Sequence, residues 1–475
     1  MMTRPTPGPE APSRTDPVVA SLSRLIGGPL GRQAIDPPRR RFWIPPRVIL
    51  LSGILMFALA WLQKLPCADG NWQDFEQYTR LCYTDIRALW GAERLNEGAV
   101  PYFDHPVEYP VLTGILMGAA GLLAHAGLGD GGGTLYYHLN AIVLLVFGMG
   151  TIAAVYGLRR ERRPWDAMLV VGAPALLFTG LVNWDLLAVG LTVFFLLAWA
   201  RRRPVLAGVL LGLAVAAKFY PLLLAGPMLV LAFRNRRLGP ALSCVGIAAG
   251  TWLAVNLPFI LFAREGWLRF FQLNSERGID WGTLWYVLRD FAGPESAIGT
   301  TLNNVDFLNY AYLVLFALSC VAIAVLTLKA PEPPRFAQLS FLVIAAFLIT
   351  GKVWSQQYLL WLLPLAVLAR PRWRTFLLWQ AAELFYFVAF YGELLAASNS
   401  DDSPVPAWAL IAPEWVFVAA SITRLGTVIA LCALVVRETL NPRLDVVRAS
   451  YGGLDPDSGL LAPPINPKTP LGLTA

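Results

Sequence analysis

Six charged residues stand out against an otherwise apolar sequence: Asp85 in "YTDIRALW", Glu108 in "VEYP", Asp185 in "NWD", Lys218 in "KFYP", Lys352 in "KVWSQQY" and Arg424 in "ASITRLG". A carboxylate that takes a proton from a hydroxyl and cations that hold a departing phosphate are the two requirements of a transfer reaction with an anionic leaving group. Each residue also has an ordinary reading. Asp85 can be a solvated loop charge, Glu108 a local cap or ion-pair partner, and Asp185 the N-cap of the helix that follows it. Lys218 and Lys352 can snorkel to lipid headgroups. Arg424 is harder to dismiss, because an arginine inside a long apolar run needs an interior partner or an anionic ligand, and its planar fork suits a phosphate.

Other chemistries find little support. The 3 histidines, His105, His125 and His138, have no H-E-x-x-H spacing, which disfavours a zinc hydrolase. There is no phosphate-cradling G-x-x-x-x-G-K-S/T loop and no G-x-S-x-G nucleophile elbow. The run "GDGGG" at 129–133 follows no strand and lacks the spaced glycines of a dinucleotide site, so it is expected to be a flexible link. A divalent metal is not required by the pattern, and two carboxylates on separate loops are a weak signal for one.

The elements that must position these residues are membrane helices. Of 475 residues, 56% are hydrophobic and 15% charged, with a mean hydropathy of +0.54, which is too apolar for a soluble protein of this size. Apolar runs recur from residue 47 to about 437, and only helices can satisfy their own backbone in lipid. The expected fold is therefore an all-α polytopic membrane protein. Flanking it, residues 1–40 and 441–475 are rich in proline and polar residues and are expected to be disordered tails around a membrane domain at 41–440. No internal repeat is visible. The net charge of +7 comes from arginine clusters in short loops, which points to membrane topology and not to nucleic acid.

Placing those clusters on the cytoplasmic side leaves 65–135, 264–305 and several short turns facing outward, with both termini inside. The pattern closes only if "VLTGILMGAAGLLAHAGL" (111–128) lies along the outer interface or dips in and returns; about twelve spans then remain. Several spans are short and carry a polar residue at the outer end, so Asp185, Lys218, Lys352, Gln356 and Gln357 are expected to sit recessed around an outward-facing cavity. Cys67 and Cys82 share the first outer loop, where an oxidising environment could join them; Cys244, Cys320 and Cys432 read as small apolar residues.

The order "YTDIRALW", "PYFDHPVEYPVLTG", "NWDLLAVGL", "GLAVAAKFYPLLL" and "WSQQYLLWLLPL" resembles the family 87 glycosyltransferases of actinobacteria, over roughly residues 47–437. That resemblance implies a GT-C fold with juxtamembrane helices in the first outer loop, a polyprenyl-phosphate sugar donor, mannose as the sugar, and catalysis outside the cytoplasm. It implies Asp85 as catalytic base; the residues themselves offer Arg424, with Lys218 or Lys352, as the expected cations for the donor phosphate. Glu108, Tyr109, Asp185, Gln356 and Gln357 are then available to contact the sugar or the acceptor, a glycolipid or glycan. A relative uses a histidine near its site; no later outer loop here has one, and Lys352, Gln356 and Gln357 are the expected substitutes. Two readings from other classes stay open, a lipid or anion transporter, whose recessed charges would look the same, and a non-catalytic scaffold of envelope assembly.

Overall fold

The computed structural model describes residues 10–31, 44–128, 131–400, 404–409 and 411–461. The expected flexible link at 129–133 falls partly outside these, as do parts of both expected tails and residues 401–403 of the loop at 398–406. The described chain is helical throughout, with a single isolated β-bridge between Pro101 and His105.

Helices of five or more residues are numbered in order. They are α1 (Pro17–Gly31), α2 (Pro45–Lys64), α3 (Asp85–Ala92), α4 (Val111–Leu128), α5 (Gly132–Arg159), α6 (Ala167–Val171), α7 (Pro174–Thr179), α8 (Asp185–Ala200), α9 (Pro204–Ala217) and α10 (Ala225–Arg234). There follow α11 (Leu238–Phe262), α12 (Arg264–Glu276), α13 (Leu284–Ala292), α14 (Ala297–Asn303), α15 (Val305–Lys329), α16 (Phe336–Thr350), α17 (Leu359–Ala369), α18 (Trp373–Ser398), α19 (Glu414–Leu440) and α20 (Val446–Ser450). Six of these, α2, α5, α11, α15, α18 and α19, are long and apolar enough to cross a membrane.

The short apolar helices α8, α9, α16 and α17 form the interior of the bundle. Their residues are the core: nearly every side chain of α8 and α17 is buried. At 11 to 16 residues they are too short to cross the roughly 30 Å hydrocarbon layer on their own. Asp185, Ala217, Thr350 and Leu359 end these helices at one end of the bundle, and the arginines before and after them gather at the other. The polar recess foreseen for the short spans is therefore present, at the first of these ends.

The segment 111–128 is helix α4. Near its start, Thr113 Oγ1 donates to Ala217 O at the end of α9 (2.8 Å). Near its finish, Ala124 O lies where a Cβ on Gly132 would come within 3.2 Å, at the start of α5. Both ends of α4 thus meet the recessed end of the bundle. Within 65–135, α3 and α4 are the helices this loop contributes, and Cys67 and Cys82 are joined in a disulfide.

The tails need correction. Residues 17–31 form α1, and Glu10 pairs with Arg163 (3.0 Å). Residues 441–461 are folded onto the arginine end of the bundle by buried charge. Asp457 accepts from both outer nitrogens of Arg159 (2.6 and 2.8 Å) and approaches Arg335 (3.4 Å), while Asp445 pairs with Arg335 (2.7 Å). The same arginines donate to Leu368 O at the end of α17. Proline and polar content misread this stretch because its aspartates answer arginines more than a hundred residues away. Gly459 makes the close approach possible: its φ is +54°, and a Cβ there would lie 2.2 Å from Trp199 O.

Removing the charge of Asp457 leaves Arg159 buried with an uncompensated charge, a defect that costs about 3 kcal/mol. Asp457→Asn is therefore expected to lower the thermal unfolding midpoint of the detergent-solubilised protein, and an unchanged midpoint would remove the clamp from the stability of the fold.

Candidate active site

The recess holds a cavity of about 390 Å³. Asp85 reaches it as the first residue of α3. That helix is pinned to the turn before α8: Asp85 N donates to Val182 O (2.7 Å) and Thr84 Oγ1 to Leu181 O (2.8 Å). Two tyrosines attend the carboxylate. Tyr83 hydrogen-bonds to it, and the Tyr109 hydroxyl lies 3.5 Å from Oδ2 while accepting from Asn183 Nδ2 (3.4 Å). Burial pushes the Asp85 carboxyl up to about 6; the Tyr83 hydrogen bond and Lys218 pull it down, and the charges of Glu108 and Asp185 push it up.

Lys218 follows the last residue of α9. Its Nζ lies 2.8 Å from Asp185 Oδ1 and sits over the rings of Tyr109 (5.0 Å), Tyr358 (5.3 Å) and Trp361 (5.8 Å). Trp361 stacks on Tyr358 at 3.9 Å and donates its Nε1 to Asp185 Oδ2 (3.0 Å). One ring therefore fixes both the lysine and its counter-ion.

Asp85, Glu108, Tyr109, Lys218, Gln356 and Gln357 all line the cavity, so the structure gathers residues spread across 273 positions of sequence. Glu108 lies near the buried Glu93 carboxyl, which burial pushes up to about 7. Gln356 donates to the Tyr391 hydroxyl (3.0 Å) and leaves its own carbonyl oxygen unpartnered. One wall is apolar, formed by Phe219, Phe270, Leu273, Phe347 and Val353. Among the described residues no three His, Cys, Asp or Glu side chains gather as a metal ion would require.

The family model for glycosyltransferase family 87 matches residues 108–351, just over half of the chain. The chain belongs to glycosyltransferase family 87. The matched stretch contains Glu108, Asp185 and Lys218 and begins after Asp85. No curated protein matches the sequence. Among solved structures, this family 87 chain is similar to the Archaeoglobus fulgidus oligosaccharyltransferase in its apo form, with 14% identity and a TM-score of 0.34 over 84% of this chain and 56% of that one. It is also similar to the oligosaccharyltransferase AglB of the same organism in complex with an inhibitory peptide and a dolichol-phosphate, with 15% identity and a TM-score of 0.32 over 87% and 52% of the two chains. The chain spans about half the length of these proteins.

Three sequence-derived site residues of this family 87 protein do not face the cavity. Arg424 is fully enclosed: its Nε donates to Glu383 (3.0 Å), its other nitrogens to the carbonyls of Trp354 and Ser355 (3.1 and 3.2 Å), and its plane lies between Trp354 and Tyr386. Three of its five N–H donors are taken inside the bundle, and the group is fully buried away from the cavity. Lys352 donates to the carbonyls of Ser275 (3.3 Å) and Arg277 (2.5 Å), closing the C-terminus of α12, where a cation also answers the helix dipole. Asp185 is spent on Lys218 and Trp361 and does not cap α8: it is the first residue of that helix, and its backbone N–H is taken by Asn183 Oδ1 (3.0 Å).

Other residues take their places on the cavity wall. Arg277 and Asp280 enter from the turn after α12, and Tyr83 and Asn183 flank residues already singled out. Burial pushes the Asp280 carboxyl up. The signal in sequence is "SERGID", charged residues immediately past the amphipathic helix α12. Glu383, the partner of Arg424, lies a helix away in "WQAAELFYF" and carries no local sign of that pairing.

The Arg424–Glu383 pair is structural on this geometry. Glu383→Gln strands a buried guanidinium and is expected to destabilise the protein by about 3 kcal/mol in thermal unfolding, whereas Glu383→Leu with Arg424→Met recovers most of that loss. A double variant no more stable than the single would show that the pair holds something besides itself.

Proposed function

We propose that the protein is an inverting glycosyltransferase that moves a sugar, mannose by family resemblance, from a polyprenyl-phosphate donor to a cell-envelope glycolipid or glycan. The observation that carries this reading is the presence of both Asp85 and Lys218 on the wall of one recessed cavity that also has an apolar side. Asp85 takes the proton of an acceptor hydroxyl as that oxygen bonds to the anomeric carbon. The bond from that carbon to the phosphate oxygen breaks, and its electron pair leaves with the polyprenyl phosphate. Lys218 and Arg277 receive the growing negative charge, Arg277 taking the role expected of Arg424 and Lys352. A lipid phosphate leaves as a stable anion, so no second carboxylic acid is needed to protonate it. Glu108, Gln356 and Gln357 are suited to sugar hydroxyls, and Asp185 and Trp361 orient Lys218. The wall of Phe219, Phe270 and Phe347 suits the first isoprene units of the donor. The arginine clusters support a cell-membrane location with the cavity on the extracytoplasmic face and both termini inside.

The direct test uses nanodisc-embedded protein with radiolabelled polyprenyl-phosphate-mannose and a crude envelope lipid fraction. Wild type is expected to form a labelled product, and Asp85→Asn to lose about 10³-fold in rate with unchanged unfolding temperature. If neither protein consumes any donor offered while labelled lipid crosses a proteoliposome bilayer, the protein is a transporter.

The rate also carries a pH signature. A base with a pKa raised to about 6 is active in its deprotonated form, so transfer is expected to fall about tenfold per pH unit below that value and to level off above it. Tyr83 stabilises the charged form, so Tyr83→Phe should move the midpoint of this limb to higher pH; a midpoint that stays put would take Tyr83 out of the control of Asp85.

A further inference from the structure

A second cavity, of about 420 Å³, opens between α2 and α5. Its lining is almost wholly apolar: Ile54, Phe57 and Ala58 on one side, Ala141, Ile142 and Leu145 on the other. The polar side chains it has are paired to each other, Trp61 Nε1 donating to His138 Nδ1 (3.2 Å). Ile54 and Ile142 are exposed on helices long enough to cross the membrane, so the groove opens toward lipid. Such a lining recognises a hydrocarbon chain and rejects a sugar or a phosphate.

The position of the groove says whose chain it takes. Leu181 closes the groove and Val182, the next residue, lines the catalytic cavity. These are the residues whose carbonyls accept from Thr84 Oγ1 and Asp85 N, so groove and base share a wall. Just beyond Trp61 on the same helix, Gln63 Nε2 donates to Leu81 O (2.7 Å) in the segment that leads to Asp85. By contrast, α9, α12 and α16, which carry or flank Lys218, Arg277 and the phenylalanine wall, contribute nothing to the groove. In a displacement with inversion the nucleophile and the leaving group stand on opposite faces of the anomeric carbon. The base belongs with the acceptor and the cations with the donor.

We propose that the groove between α2 and α5 holds an acyl chain of the lipid that carries the acceptor, which makes the substrate of Asp85 a membrane-anchored glycolipid and not a free glycan. The inference rests on the glycosyltransferase reading for its choice between donor and acceptor. The Trp61–His138 pair marks the level at which the chain ends and the headgroup turns toward the cavity.

Photolabelling tests this without turnover, so failure of the transfer assay is scored separately. Nanodisc-embedded protein is irradiated with phosphatidylinositol bearing a diazirine midway along one acyl chain or, in a parallel sample, with a diazirine-bearing prenyl phosphate, and labelled peptides are mapped by mass spectrometry. The acyl probe is expected to label 54–61 and 138–145 above the lipid-facing helix α15. Ala58→Trp, which fills the groove from an exposed position, should bring that labelling down to the α15 level, and Ile142→Trp should do the same from the other wall. The prenyl probe should label the segments around Phe270 and Phe347. Acyl labelling that is even around the protein or indifferent to both tryptophans makes this surface ordinary lipid belt and overturns the proposal. Prenyl labelling in the groove overturns it as well, by giving the groove to the donor.

Discussion

A helix that stops inside a bilayer-spanning bundle leaves several backbone carbonyls or N–H groups without partners, and hydrocarbon offers none. Most of the polar chemistry in this protein follows from that constraint. The four inner helices end below the level their longer neighbours reach, and each interrupted end is closed by a side chain or by the next turn. Asn183 takes the first N–H of α8, Thr113 reaches the last carbonyl of α9, and Trp285 Nε1 donates to Thr350 O at the end of α16 (2.8 Å). Arg424 holds the carbonyls of Trp354 and Ser355 in the loop that follows α16, and Lys352 reaches from that loop to the carbonyls of Ser275 and Arg277 at the end of α12. The recess exists because these ends are satisfied, and a cavity lined by Asp85 and Lys218 can open there without unfolding the helices beneath it.

This divides the buried charges into two kinds. Those whose partners are the backbone or one another hold the frame, as Arg424, Glu383, Lys352 and Asp185 do. Those with capacity left over face the cavity, as Asp85, Glu108, Arg277 and the Gln356 carbonyl oxygen do. Lys218 stands between the two. It is paired to Asp185 and ringed by aromatic faces, and it still lines the space where a ligand would sit. Its charge is offset but not buried beyond reach.

That division explains what could be read from sequence. Helical membrane architecture was legible because lipid imposes it on composition. The recess was legible because spans such as "VLAGVLLGLAVAA" are too short to cross and end in a charge. Asp85, Glu108, Tyr109, Lys218, Gln356 and Gln357 stand out in the sequence because they lie at such ends or in the acidic loop, and they line one cavity. Arg424 and Lys352 lie off the cavity wall with partners inside the protein: a cation in an apolar run needs a partner, and the sequence does not say whether that partner is a ligand, a carboxylate or a carbonyl. Glu383 was missed because a pairing across helices leaves no trace in spacing, and Arg277 because one charge in the run past α12 looks like any solvated loop charge. The folded stretch after residue 440 was missed likewise, since its prolines and polar residues resemble those of a free tail until Arg159 and Arg335 are seen waiting for it.

The clamp formed by that stretch has a bearing on how the molecule is made. Arg159 and Arg335 enter the bundle with the ends of α5 and the start of α16, but Asp445 and Asp457 come after the last long helix has been synthesised. Until then the arginine end holds two buried guanidinium groups whose counter-charges have not yet left the ribosome. The inner helices can insert during synthesis, but the packing of that end is completed only afterwards. A chain interrupted before residue 445 would carry all six long apolar helices of the described residues and still lack the aspartates that close its arginine end.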